Sequence, residues 1–267
     1  MRVAACKSHC TSIYVLRLTN SARYLYNDAV HLADSLADFS DKWKQRDDLT
    51  VKAKNLLRLD TDIKSLRSFA NRSYSTAMNL QKTVLRDFLG GAQSLIQQDE
   101  SGAAIETGIG RIRSVAEVWE PILARSVWSQ AIGSLAEVLA TKIITDVLEM
   151  SSISQDEAYN IASLIATATT LDDLFLPSRL SGVAPPAGEE EVPATAQYAP
   201  SWLRLKYLSE VLQSNLNEVK YLWLESELSL YFTVGEVVNL IEASFELNQR
   251  TREALREIRT NPTPVTG

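Results

Sequence analysis

Cysteine is scarce, two in 267 residues, which excludes a scaffold built on disulfides. Glycine and proline are sparse too, ten and eight, so turns are few and long helices are favoured. No run of about 18 apolar residues occurs, and no membrane-spanning helix is expected. The opening residues, MRVAACKSHCTS, lack the roughly 7–15-residue apolar core of a secretory signal, so a cytoplasmic location is the default expectation. Histidine is limited to His9 and His31, which leaves little for proton transfer near neutral pH.

What is present describes an ordinary folded chain. It is 45% hydrophobic and 22% charged with net charge −6, and long enough for one large domain or two smaller ones. The charge is uneven. Residues 1–90 hold 15 Lys/Arg against 9 Asp/Glu, and residues 91–267 hold 12 against 24. A basic first half would draw an acidic partner or an anionic membrane surface. The plainer reading is a set of solvated helix faces. A pI near 5.1 speaks against a dedicated nucleic-acid binder.

The hydrophobic period is helical nearly throughout, and the chain reads as all-α. Tyr14, Leu18, Leu25, Ala29, Leu32 and Leu36 mark a helix through about Phe39, followed by a loop near residues 41–48. Leu56, Leu59, Ile63, Leu66, Ala70, Ser73, Ala77, Leu80 and Val84 alternate at three and four, a heptad-like seam on a helix over about 50–97. A helix of that size would span about 60 Å at 1.5 Å per residue, and Gly90-Gly91 weakens its end. Gln98 to Gly102 reads as a turn. The spacing then predicts a helix from Ala103 to Met150, kinked or broken at Pro121, whose ring removes a donor and clashes with the preceding turn. Ser154-Gln155-Asp156-Glu157 is a capping box that starts a helix to about Asp173. Residues 177–200, with five prolines and the acidic run Glu189-Glu190-Glu191, read as irregular. Pro200-Ser201 opens a helix carrying Leu205, Leu208, Leu212, Leu216, Val219 and Trp223. A second capping box, Thr233 to Glu236, starts the last helix, which Asn261-Pro262 ends. The organisation is therefore a long-helix hairpin over 1–100, middle helices over 101–176, a Pro/acidic loop over 177–200, C-terminal helices over 201–260 and a tail over 261–267. Trp119, Trp128, Trp202 and Trp223 fall on helical stripes and are expected in or near the core.

The inventory of chemistry is thin. Cys6, His9 and Cys10 lie close, but no second Cys/His pair completes a closed zinc site. His31 has no nucleophile or orienting partner in its pattern. Ile105 to Gly110 lacks the Lys-Ser/Thr of a phosphate loop and reads as an irregular helix start. Asp172-Asp173 and the glutamate run are contiguous carboxylates, more simply solvated than metal-binding. No catalytic residue, metal ligand or cofactor site is indicated. Arg252, Arg256 and Arg259, at i, i+4 and i+7, would form a basic partner-binding face, or equally complement the negative end of a helix dipole. Tyr231 and Phe232 precede the second capping box, first as a hydrophobic staple and alternatively as a partner-binding anchor.

The order and spacing of several segments carry a resemblance. They are Glu190 to Pro193, Tyr198 to Trp202, Leu212 to Val219, Phe232 to Phe245, and then Arg250, Arg252, Ala254-Leu255 and Ile258. Upstream, Val118 to Leu123, Ala131 to Leu135 and Ile153-Ser154 also fit. The pattern resembles the C-terminal region of the zeste-white ten family of centromere/kinetochore and Golgi-to-ER tethering proteins, related to the Dsl-complex tether of yeast. It spreads over about residues 18–259 and is strongest after 190. Residues 1–12, the glycine stretch and 179–189 fall outside it. The resemblance implies an elongated helical-rod bundle of the multisubunit-tether (CATCHR) type and a C-terminal fragment of a longer chain. It implies a non-catalytic subunit, cytoplasmic and peripheral at the ER membrane, serving Golgi-to-ER retrograde (COPI) transport. This part would dock a large α-solenoid subunit and support SNARE assembly indirectly, while a missing N-terminal part would pair with a rod-like tether subunit. A kinetochore scaffold for the spindle checkpoint and dynein recruitment is the alternative it implies. Direct membrane-surface binding by the basic first half is a separate alternative that rests on charge alone.

Overall fold

The computed structural model describes residues 26–54, 59–91, 96, 101–182 and 191–261. Among them every regular element is helical and none is a strand, as the three-and-four spacing requires. The chain forms two compact units, Met1–Thr83 with Glu117–Trp128, and Val84–Ala116 with Ser129–Gly267. The Cys6–His9–Cys10 cluster, Tyr14, Leu18 and Leu25, Leu56, residues 98–100 of the expected turn, Glu189-Glu190 and the tail over 262–267 lie outside the described residues, while Ser101 and Gly102, expected in that turn, open a helix.

In the first unit α1 (residues 26–44) pairs with the first part of α3 (Asp60–Phe88), with short α2 (Val51–Lys54) between them. Tyr26 meets Tyr74 with ring centroids 5.5 Å apart, Asp34 meets Arg67 at 3.2 Å and Lys44 meets Asp60 at 3.6 Å. Numbers rise on one helix as they fall on the other, so the pair is antiparallel. The seam between them is built from small side chains. Ala29, Ala33 and Ser40 are buried on α1, and Ile63, Ala70 and Ala77, seven apart, on α3. Small residues allow close approach of the helix axes. The intervening heptad positions, Leu59, Leu66, Ser73 and Leu80, are only half-buried.

The ends of α1 and α3 differ from the expected ones for local reasons. α1 runs through Lys44, beyond the expected loop start at 41, because Asp38–Lys42 and Phe39–Trp43 both form i, i+4 contacts across its last turns. α3 has 29 residues, not more than 40. Asp60 and Asp62 occupy its first turn, where a carboxylate suits the dipole. Gly90 and Gly91 end it with φ of 86° and 61°, and the Gly91 amide donates to the Arg86 carbonyl at 2.8 Å. Residues Glu117–Trp128 hold the expected break at Pro121. α4 (Ser101–Trp119) stops before it and α5 (Arg125–Leu148) starts after it. The Ile122 and Leu123 amides close on the Trp119 carbonyl, and Glu120 bonds Arg125 at 2.9 Å.

The second unit is a bundle of the remaining helices. From Val84 onward Leu85 of α3 is buried, and so is Leu89 just past the helix end. Leu85 and Leu89 pack on α4 at Gly108, where an added Cβ would stand 3.2 Å from a Leu89 methyl. The glycine stretch is thus helix interior, with Gly108 serving close packing, and not an irregular start. α6 (Gln155–Thr169) carries the expected capping box and continues as a 3-10 turn over Thr170–Phe175. α7 (Pro177–Ser181) and α8 (Thr195–Tyr198) interrupt the segment expected to be irregular. Ser178 donates to Glu191 through its amide and hydroxyl at 3.0 and 2.8 Å.

After residue 200 one expected helix is two, α9 (Trp202–Gln213) and α10 (Leu216–Glu225). The break falls where Asn215 and Glu218 form a further capping box. Short α11 (Leu228–Tyr231) follows. The expected last helix is also two, α12 (Val234–Ser244) from the Thr233 box and α13 (Gln249–Thr260) from an Asn248 cap. α6 packs on α9, and α13 on α10 and α12. Trp202, Trp223 and Phe175 of this unit are fully enclosed, as are Trp119 and Trp128 of the first, and the Trp223 indole donates to the Asn261 carbonyl at 3.0 Å.

Candidate docking surface

α13 is amphipathic in a way its sequence dictates. Thr251, Ala254, Leu255 and Ile258 are buried, which leaves the opposite side to its arginines. At about 100° per residue, Arg252, Arg256 and Arg259 fall within a sector of about 60°, and all three are exposed. With Gln249, Glu253 and Thr260 they line a shallow groove of about 500 Å³. Arg259 bonds Glu242 of α12 at 3.2 Å. Arg252 and Arg256 have no ion pair among the described residues. Two guanidinium forks on one helix face suit carboxylates of a partner, which such forks bind bidentately.

Tyr231 ends α11 and Phe232 precedes the Thr233 cap of α12. The Tyr231 ring stacks on Tyr207 at 5.1 Å, and Phe232 is 4% exposed with the Arg204 guanidinium 4.9 Å above its ring. Arg204 also bonds Glu236, the far member of the Thr233 capping box, at 2.6 Å. Burial works to raise the Glu236 carboxyl, but the Thr233 hydrogen bonds and Arg204 outweigh it and hold the group below its usual range. Phe232 and Val237 are both buried, as a staple across the cap requires.

The acidic pair at 172–173 does structural work. Asp172 accepts from the Trp202 indole at 2.7 Å, from Lys206 at 2.6 Å and from the Thr195 hydroxyl. Asp173 bonds Arg113 at 2.7 Å. His31 is exposed on α1. Among the described residues no group of three or more His, Cys, Asp or Glu is placed to hold a metal ion, and no helix is long and apolar enough to cross a membrane.

Sequence spacing missed a second concave feature, a cleft of about 540 Å³ where four helix ends converge. Ile153, Ala158, Val211, Leu212 and Phe245 supply its apolar lining. Its walls are the start of α6, the end of α9, the cap of α10 and the end of α12. The signal that would have located it is the pair of breaks at Ser214-Asn215 and Phe245 to Asn248, the first hidden under the continuous stripe Leu212, Leu216 and Val219, the second lying in the apolar gap before Leu255.

The family model for the ZW10 C-terminal helical domain matches residues 103–258. The chain is 23% identical over 205 residues to the centromere/kinetochore protein zw10 homologs of Mus musculus and Rattus norvegicus. Those alignments cover 74% of this chain and 26% of each relative, so the chain spans about a quarter of their length. The matched region takes in the core of the second unit and the whole arginine face except Arg259. By that match the chain belongs to the ZW10 C-terminal helical domain family.

Proposed function

We propose that this chain is a non-catalytic interaction module of a vesicle-tethering complex in Golgi-to-ER retrograde (COPI) transport. It docks a large α-solenoid subunit through the outer face of α13 and supports SNARE assembly through that complex. The family match over 103–258 carries the reading, and the exposed Arg252, Arg256 and Arg259 give it a surface. A partner presenting Asp and Glu fits that surface, and the contact would be salt-sensitive. Work in such a complex places the chain peripherally at the ER membrane. A kinetochore scaffold is the second reading, favoured by the names of the mouse and rat relatives.

Affinity capture from cell lysate with the full chain tests it, alongside a variant with Arg252→Glu, Arg256→Glu and Arg259→Glu. The intact chain is expected to recover tether subunits, and the variant at least tenfold less. Equal recovery removes the arginines from the reading. Recovery of kinetochore proteins without tether subunits favours the second reading, and recovery of neither defeats both.

A further inference from the structure

The first unit holds more apolar surface than its own seam uses. Leu32, Leu36, Phe39 and Trp43 follow one another on α1 at four, three and four, and at about 100° per residue they share a sector of about 60°. Leu32 is 51% and Phe39 50% exposed, and the other two are half-buried. On α3, Leu66, Phe69, Ser73 and Leu80 share a sector of about the same width, with Phe69 exposed and the rest half-buried. Exposed apolar side chains that line up in this way mark a contact surface.

The two stripes lie on one side of the helix pair. With the buried Ala33 and Ser40 of α1 and the buried Ile63, Ala70 and Ala77 of α3 as heptad position a, both stripes fill positions d and g. In an antiparallel pair like positions flank the seam on the same side, so the stripes make a single apolar face with small side chains along its middle. A two-helix layer of that pattern is half of a four-helix bundle. What completes it is another antiparallel pair with the same heptad spacing, and this chain carries one.

The charges bordering the face single out that occupant. Asp28, Ser35 and Lys42 recur at seven beside the α1 stripe, an acid at one end and a base at the other. Asp28 has no ion pair among the described residues. Lys42 pairs with Asp38 within α1, but the two side chains are 73% and 64% exposed, and such a pair exchanges partners at little cost. An antiparallel α1 from a second copy, related by a two-fold axis beside Ser35, brings each Asp28 to the other copy's Lys42. The same register sets Leu32 against Phe39 of the other copy and the two Leu36 side chains close to the axis. We propose that this face is a homodimer interface, in which two copies of the chain join their α1–α3 pairs into a four-helix bundle. Its residues all precede the segment that the family model matches, so it is a different surface from that of the α13 arginines.

Sedimentation velocity on the full chain, over about 1–100 μM, tests the proposal. The expected result is a concentration-dependent species of twice the 29.7 kDa chain mass. Leu32→Glu with Phe39→Glu is expected to leave only monomer at every concentration, with the helical circular dichroism unchanged because both side chains are half outside the fold already. Asp28→Lys alone and Lys42→Glu alone are each expected to weaken the dimer by about fivefold. Mixing these two single variants, one with two cations on that edge and the other with two anions, is expected to restore association, as is combining both changes in one chain. Arg252→Glu with Arg256→Glu is expected to leave the dimer unchanged. A chain that stays monomeric at 100 μM, a dimer that survives the Leu32 and Phe39 substitutions, or single charge variants that do not recover on mixing would overturn the assignment.

Discussion

At the scale of single residues, two glycines separate packing from propensity. Both lie in helices, where alanine is intrinsically favoured by about 0.8–1 kcal/mol. An added Cβ at Gly133 would stand 2.2 Å from the Tyr198 Cβ and 2.7 Å from its carbonyl oxygen. That is backbone, which cannot swing aside. Gly110 has nothing within 4 Å of the same position. Gly133→Ala is expected to cost about 3 kcal/mol, and Gly110→Ala to gain up to about 0.8 kcal/mol, read as opposite shifts of the urea midpoint. Asp172 offers a second residue-scale test. Asp172→Ala strands the buried Trp202 indole N–H and removes the partner of Lys206. It is expected to cost about 2 kcal/mol, whereas Asp173→Ala, on the exposed bond to Arg113, costs about 0.5 kcal/mol. Sequence alone gave no means to tell these neighbours apart, because which of two adjacent carboxylates turns inward is decided by residues 23–34 positions away.

At the scale of elements, the capping boxes govern where helices start. Ser154–Glu157 and Thr233–Glu236 were legible because each precedes an apolar run after a polar or turn-forming stretch. Asn215–Glu218 was not, because Leu212, Leu216 and Val219 continue at four and three across that break; the Asn248 cap lies in the apolar gap between Phe245 and Leu255 and has no Glu or Gln three residues on to mark a box. Periodicity reports which residues face inward, and two short helices packed in one bundle preserve that phase as well as one long helix does. The Glu157 carboxyl is held below its usual range, chiefly by the Ser154 side-chain and backbone hydrogen bonds. A depressed carboxylate contributes stability that is present above its unfolded value near 4.3 and is lost as pH falls through the lower folded value. The chain is therefore expected to lose stability on acidification below about pH 4.3, and Glu157→Gln to show a shallower loss in the same window. Chemical denaturation at pH 7 and pH 3.5 measures it, and parallel curves for the two proteins would dissociate the cap from the acid response.

At the scale of the whole molecule, all-α architecture was legible from the scarcity of Gly and Pro and the helical period, and the family from the order of motifs after residue 190. Contact surfaces were legible in part. The three arginines of α13 share a face because 4 and 3 residues are helical neighbours, a relation that sequence shows directly. The cleft depends on where four helix ends meet, which no local pattern encodes. Binding at α13 is expected to weaken with salt, by at least tenfold between 50 and 300 mM NaCl if the arginines are its main contacts.

The most direct measurement is amide hydrogen exchange on the full chain, alone and in the complex recovered with it from cells. New protection over residues 249–260, lost together with the partner in the triple arginine-to-glutamate variant, is the expected result. Protection confined to residues outside α13, with the variant still fully associated, would contradict the docking role assigned to that helix.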